Sequence, residues 1–155
     1  DLIYDNVAFG LRRKHVPEEQ IEKIVPGMLE NVGLRGVESK RVSELSGGMQ
    51  KRVGLARSIA LHPEIMLYDE PTTGVDPITG GAVDRLIKKM RDTIGVTSVV
   101  VTHDMRSAYR LADRIAMLYE GKIIYSGPPD IFRNTDDAHV RQFIEGRAHG
   151  PIQVL

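Results

Sequence analysis

Residues 44–77 read ELSGGMQKRVGLARSIALHPEIMLYDEPTTGVDP, and we expect the rest of the chain to be built around them. Near the start of this segment, Ser46, Gly47 and Gly48 precede a run in which apolar residues recur at helical spacing. Serine is a favoured N-cap, and glycine lets the backbone come close to another group. The pattern predicts a helix from Gly47 to about Leu61, capped by Ser46.

The start of this helix is a candidate anion site. Free N–H groups and the positive end of the helix dipole lie at a helix N-terminus, and both suit a phosphate. Taken alone, however, Ser-Gly-Gly is more often a loop that leads into an ordinary core helix. The basic residues Lys51, Arg52 and Arg57 on the same helix are likewise more typical of a solvated helix face than of a phosphate site.

A short apolar run, Ile65 to Tyr68, follows between Pro63 and Pro71. It predicts a strand that is buried on both faces of a parallel sheet. The run ends at Asp69 and Glu70, so two carboxylates lie at the carboxyl end of the strand, where open α/β sheets bind ligands. Adjacent carboxylates are costly to desolvate unless a cation or a proton transfer uses them. We interpret Asp69 as a ligand of Mg²⁺ and Glu70 as the residue that polarises a water attacking a γ-phosphate.

Two more elements complete the pattern. Asp76, followed by Pro77, is a helix-start signal with aspartate as the N-cap, and it predicts a helix over residues 78–90. The β-branched run from Thr97 to Thr102 predicts a second buried parallel strand, and His103 lies at its end. A lone histidine after a strand is more often structural. Here the strand should lie beside the first one, so we interpret His103 as a contact to the γ-phosphate or to the attacking water.

Four motifs occur in this order: LSGGMQKR at 45–52, IMLYDE at 65–70, TTGVDP at 72–77 and VVVTHD at 99–104. Together they resemble the signature motif, Walker B strand, D-loop and switch histidine of the ATPase subunits of ATP-binding-cassette (ABC) transporters. The resemblance implies an α/β fold of the P-loop NTPase type, present in part. Its mainly parallel sheet would have flanking helices, with a helical subdomain before the signature.

The resemblance also implies the roles of individual residues. ATP and Mg²⁺ would be the cofactors, and two ATPase subunits would pair head to tail, so that the signature of one contacts the ATP held by the other. Asp76 would lie at the subunit interface, and Met49 stands where the family more often has glutamine. The implied catalytic residues are Glu70 and His103, the implied metal ligand is Asp69, and the implied cofactor-binding residues are Ser46, Gly47, Gly48, Gln50 and Asp76.

A phosphate-binding loop of the form G-x-x-x-x-G-K-[ST] does not occur in the sequence. In the ABC family that loop lies upstream of the signature, so we expect this chain to be the C-terminal portion of a longer ATPase. We therefore expect the chain alone to be inactive. We also expect it to self-associate, because a sheet that lacks its first strands has an exposed edge.

The predicted organisation has three parts: a helical subdomain and connector at 1–44, a core ATPase subdomain at 45–135, and a C-terminal helix and tail at 136–155. In the first part, Pro17 is expected in the first turn of a helix, and Pro26-Gly27 to kink that helix or divide it in two. The two-residue link Glu120-Gly121 predicts a β-hairpin. The tail from Gly146 onward is expected to be peripheral.

The composition of the chain bears on what it could bind. The 155 residues carry 21 basic and 21 acidic side chains and no cysteine, which argues against nucleic-acid binding and excludes disulfides. Apolar runs stay well short of the roughly 18 residues that span a membrane. The resemblance to ABC transporter ATPases in turn implies a cytoplasmic protein, peripheral on the inner face of the cytoplasmic membrane and linked to it through transmembrane permease subunits.

Several local features resemble the ATPases of lipid-asymmetry and organic-solvent-tolerance transporters, which implies phospholipid or another hydrophobic cargo. These features are LSGGM at 45–49, GVDPITGG at 74–81, RIAMLYEGKIIYSG at 114–127 and VRQFIEGRAHGPI at 140–152. Two alternatives stay open. A DNA-repair or chromosome-structure ATPase shares the signature and Walker B motifs, but the short connector at 38–43 and the balanced charge argue against it. An inactive regulatory fragment is supported only by the missing phosphate loop.

Overall fold

A computed structural model describes residues 1–153 of the chain as an α/β structure in two compact units, residues 1–102 and residues from His103 onward. The first unit contains α1 (Ile3–Arg13), α2 (Glu18–Asn31), a 3₁₀ turn (Val42–Glu44), α3 (Gly47–Ile59), β1 (Ile65–Asp69), α4 (Pro77–Ile94) and β2 (Thr97–Val101). The second contains α5 (Met105–Leu111), β3 (Ile115–Tyr119), β4 (Lys122–Gly127), α6 (Pro129–Asn134) and α7 (Ala138–Glu145).

The first unit is organised by the parallel pair β1–β2. The register runs from Ile65 opposite Thr97 to Asp69 opposite Val101, as the sequence predicted for two neighbouring strands. Helix α3 packs against α1, α2 and α4. Aliphatic side chains from all four helices form the buried core, among them Ile3, Val7, Ile21, Val25, Leu29, Val53, Ile59, Val83 and Ile87.

Helix α2 bears on two sequence-based expectations. Pro17 is the N-cap rather than a residue of the first turn, which corrects the first. At Pro26, where we expected a kink or a division into two helices, the helix is not divided. A proline inside a helix costs about 3 kcal/mol. Val25 and Leu29, on either side of Pro26, are fully buried, and their burial offsets that cost.

Strand β1 corrects a third expectation, because only one of its faces is covered within the described residues. Met66 and Tyr68 are buried, whereas Ile65 is 60% exposed and Leu67 is 78% exposed. The same side of β2 is open at Val99 and Val101, which are 51% and 59% exposed. Helices cover the inner face of the pair, and the outer face stays apolar and open to solvent.

The second unit has its own small core. Its strands β3 and β4 form the predicted antiparallel hairpin, with Glu120 and Gly121 both left-handed at the turn. Phe132 is buried beneath it, and the rings of Tyr109 and Tyr125 meet the Phe132 ring edge-on.

The C-terminal tail lies on the surface, as expected, with residues 146–151 exposed, and it is anchored at Ile152. The buried amide of Gln142 donates to the carbonyls of Arg147 and Ile152 and accepts from the Ile152 N–H at 2.7 Å. Ile152 also packs against the small core. A buried amide needs hydrogen-bond partners, and here the returning tail supplies them.

The two units divide the chain after Thr102, a different division from the three parts expected from the sequence, which stay a prediction. In the described range 1–153, every helix is too short or too polar to cross a membrane.

Candidate functional site

The start of α3 has the predicted geometry. Ser46 is the N-cap, with extended backbone, and its Oγ accepts a hydrogen bond from the Met49 N–H at 3.4 Å. Ser46 and Gly47 are exposed, whereas Gly48 is buried. The outward side of this turn is therefore formed by Ser46 and Gly47, and the first-turn N–H groups beside them suit an anion.

Gln50, a predicted cofactor-binding residue, makes its hydrogen bonds to the turn just before α3. Its Nε2 donates to the carbonyl of Leu45 at 3.1 Å and to that of Val42 at 3.2 Å. These bonds connect the helix to the 3₁₀ turn and so support the shape of the Ser46 corner. The contact of Gln50 with a nucleotide stays a prediction.

Asp69 and Glu70 lie where the sequence predicted, at the carboxyl end of β1. Asp69 is exposed and pairs in register with Val101, and the Glu70 N–H donates to the Val101 carbonyl at 2.9 Å. The second strand thereby fixes the backbone of the acidic pair.

Glu70 has a feature that the sequence did not predict. Its backbone is left-handed, with φ of 46°, a conformation that is uncommon for residues other than glycine. Its Oε2 accepts a hydrogen bond from the Thr73 hydroxyl at 2.9 Å, and its carbonyl accepts one from the Thr73 N–H. The sequence analysis did not identify Thr73 as a partner of Glu70. The available signal was a hydroxyl side chain three residues after the glutamate.

Asp76 caps α4 as predicted. Its Oδ1 accepts from the N–H groups of Ile78 and Thr79 at 2.9 and 3.0 Å, and its Oδ2 accepts from the Thr79 hydroxyl. The hydrogen bond from the Thr79 hydroxyl, helped by the two backbone N–H groups, lowers the pKa of Asp76. The sequence analysis did not identify Thr79 either. Its contact with Gly48 of α3 depends on how two helices pack, which the local sequence does not show.

A cleft of about 220 Å³ runs between α3 and β1 and ends at the carboxylate-bearing tip of the strand. Lys51, Arg57 and Asp69 are among its lining residues. The Arg57 guanidinium donates to Asn6 Oδ1 at 3.3 Å, and it thereby links α3 to α1. This contact agrees with a structural role for Arg57.

His103 is the first residue of the second unit, two residues after β2 ends. Asp104 follows it and caps α5 by accepting from the Arg106 N–H at 2.9 Å. The proposed contact of His103 with a phosphate or with the attacking water stays a prediction.

The donor set at the strand tip fits Mg²⁺ rather than a fully protein-coordinated metal. Within residues 1–153 there is no group of three or more histidine and acidic side chains arranged to hold a metal. Mg²⁺ is commonly held by one or two carboxylates together with substrate phosphates and water. The exposed Asp69 carboxylate, with Glu70 next to it, is sufficient for that arrangement.

Comparison with known proteins finds similarity to ABC transporter proteins. The ABC transporter family model matches residues 3–73, which include α1, α2, the Ser46 corner and the acidic pair. A solved structure of cbiO1 from Clostridium perfringens, described as part of the ABC transporter complex cbiONQ, matches with a TM-score of 0.79 and 30% identity. That match covers 86% of this chain and 53% of cbiO1. The chain is thus similar to ABC transporter proteins in both sequence and fold.

Curated relatives of the chain carry transport names. The intermembrane phospholipid transport system ATP-binding protein MlaF of Haemophilus influenzae is 42% identical over 97% of this chain and 57% of its own length. A probable ribonucleotide transport ATP-binding protein, mkl of Mycobacterium leprae, is 41% identical over 97% of this chain and 44% of its own. The chain thus spans about half the length of these ABC relatives. The match to MlaF confirms the resemblance to lipid-transport ATPases.

Proposed function

We propose that this chain is the C-terminal portion of the ATP-binding and ATP-hydrolysing subunit of an ABC transporter, completed by an upstream phosphate-binding loop. The observation that carries the proposal is the acidic pair at the tip of β1, held in place by β2 and located in the same unit as the exposed Ser46 corner. The match to relatives about twice as long supports a longer full-length protein.

In this proposal Glu70 acts as the general base. Its carboxylate would orient a water for in-line attack on the γ-phosphate, and the Thr73 hydroxyl holds one of its oxygens. Phosphoryl transfer draws most of its acceleration from placement and charge stabilisation. The hydrogen bonds that fix the backbone and side chain of Glu70 are therefore what catalysis at this position requires.

Asp69 would hold Mg²⁺ directly or through water, and His103 would contact the γ-phosphate or the attacking water. Bound Mg²⁺ supplies neutralisation of the negative charge on the β- and γ-phosphates. Because Asp69 is exposed, its carboxylate is accessible to a hydrated cation.

We infer that the exposed Ser46 and Gly47 bind, in trans, the ATP held by a second subunit paired head to tail, together with Gly48 and Gln50 behind them. Asp76 would face that subunit. The helices α1 and α2 would contact transmembrane permease subunits on the inner face of the cytoplasmic membrane. The MlaF match supports phospholipid or another hydrophobic molecule as the cargo.

The test is the Glu70→Gln variant of the full-length protein. It should bind ATP like the wild type and hydrolyse it about two to four orders of magnitude more slowly, the usual scale of acid–base catalysis. Glu64→Gln is the control for the same chemical change, because Glu64 is exposed and precedes β1, whereas Glu70 is half-buried and follows it. Unchanged turnover in Glu70→Gln would contradict the assigned role.

The 155-residue chain by itself provides a second test. Without a phosphate-binding loop it should not hydrolyse ATP, and a malachite-green assay should detect no sustained phosphate release. Sustained release that survives repurification would show that the catalytic site is complete without the upstream part.

A further inference from the structure

The first turn of α3 and the first turn of α4 meet at one close contact. A Cβ placed on the buried Gly48 would overlap the Cγ2 methyl of Thr79. The other heavy atom near that position is the Thr79 Cβ, at an ordinary 3.8 Å. The methyl group of Thr79 therefore occupies the space that any side chain at position 48 would need.

Thr79 is held on its other side by Asp76. The Thr79 hydroxyl donates to Asp76 Oδ2, and its N–H donates to Asp76 Oδ1 at 3.0 Å. In threonine a single torsion, χ1, sets the direction of both the hydroxyl and the methyl. The hydrogen bond to Asp76 consequently fixes where the methyl points, and the methyl packs on Gly48.

We propose that Thr79 is a positioning residue that locks the signature turn at Gly48 to the D-loop residue Asp76, and that position 48 is glycine because of the Thr79 methyl. This rests on the proposed function, in which the Ser46 corner and Asp76 both face a second subunit. With Thr79 between them, the two elements keep one relative position when the subunits pair.

The neighbouring Gly47 provides the contrast. It is exposed, and a Cβ there would meet only Val75 Cγ1, at 3.9 Å, an ordinary van der Waals distance. The chain itself therefore has room for alanine at position 47. An effect of Gly47→Ala would report a group that approaches from outside, whereas rescue of Gly48→Ala by removal of the Thr79 methyl would report the contact with Thr79.

The experiment is a double-mutant cycle in the full-length protein, read out as ATP hydrolysis and as ATP-dependent pairing of two subunits. Gly48→Ala should lower hydrolysis about 10- to 100-fold, the effect expected of overpacking a tight contact. Thr79→Ser removes the methyl and keeps the hydroxyl. The Gly48→Ala/Thr79→Ser protein should therefore recover to within about threefold of Thr79→Ser alone.

Gly47→Ala is the matched control, and its loss of hydrolysis should be the same whether or not Thr79→Ser is also present. Thr79→Val, which keeps the shape and loses the hydroxyl, should weaken ATP-dependent pairing while its urea unfolding midpoint stays near that of Thr79→Ser. The inference is overturned if Thr79→Ser fails to rescue Gly48→Ala, or if it rescues Gly47→Ala equally well.

Failure of the proposed function would look different. In that case the wild-type full-length protein would not hydrolyse ATP, while urea unfolding of the same variants would still report the Gly48–Thr79 contact. If the wild type hydrolyses ATP but the effects of Gly48→Ala and Thr79→Ser simply add, the role of Thr79 is overturned and the proposed function is not.

Discussion

The two faces of the β1–β2 pair are similar in composition and opposite in environment. On the inner face, Met66 and Tyr68 are 6% and 5% exposed under the helices of the first unit. On the outer face, Leu67 and Val99 are 78% and 51% exposed. Both faces carry apolar side chains, so apolar composition is not what distinguishes a covered face from an open one here.

The largest expected effect is on the inner face. Met66→Ala should lower the free energy of unfolding of the chain by about 2–5 kcal/mol, because it leaves a cavity beneath the helices. Leu67→Ala, one residue along, is the matched control and should change that free energy by within about 0.5 kcal/mol. Urea unfolding followed by circular dichroism measures both, and equal losses would remove the distinction between the faces.

On the outer face the expected effect is on association. We expect the 155-residue chain to self-associate at high concentration, because the pair presents an open apolar face and an unpaired edge. Leu67→Lys should shift the light-scattering mass toward the monomer, since pairing would bury a charge. Leu118→Lys, at a site in the hairpin that is 69% exposed, should not. A wild-type chain that stays monomeric at high concentration would count against self-association through the outer face.

The smallest expected effect is on the pH dependence of stability, and it arises from Tyr68 on the inner face. Burial raises the pKa of Tyr68, with the Ser98 hydroxyl acting in the opposite direction. The raised pKa means that the contribution of Tyr68 to stability is fully present below the ordinary tyrosine pKa. It is lost as pH rises through the folded-state value.

Tyr68→Phe should therefore unfold with a flatter dependence on pH above about 10 than the wild type. Urea midpoints measured from neutral to alkaline pH test this. The same alkaline slope in both proteins would show that the inner face does not desolvate Tyr68.

Much of the candidate site could be predicted because it depends on short-range rules. Ser46 and Asp76 cap their helices through N–H groups two or three residues away, and Glu120-Gly121 forms the hairpin turn it indicated. The position of Asp69 and Glu70 at a strand tip followed from the length of the apolar run.

Other features depend on contacts between segments that are distant in sequence. The left-handed backbone of Glu70 occurs where β2 and Thr73 bind its main chain, and the tail returns to Gln142. The expectation that both faces of strand β1 would be covered was wrong for the same reason. Periodicity measures the tendency of a segment to be buried and does not say which partner covers it.

The amino-acid sequence by itself determined the motifs that resemble those of ABC transporters, their order, and the helix caps and strand ends that present them, because these depend on residues within a few positions of one another. Only the tertiary structure decided which face of the parallel pair is covered. It alone also showed that Gly48 lies against the methyl group of Thr79, far along the chain, since that contact exists only once α3 and α4 have packed.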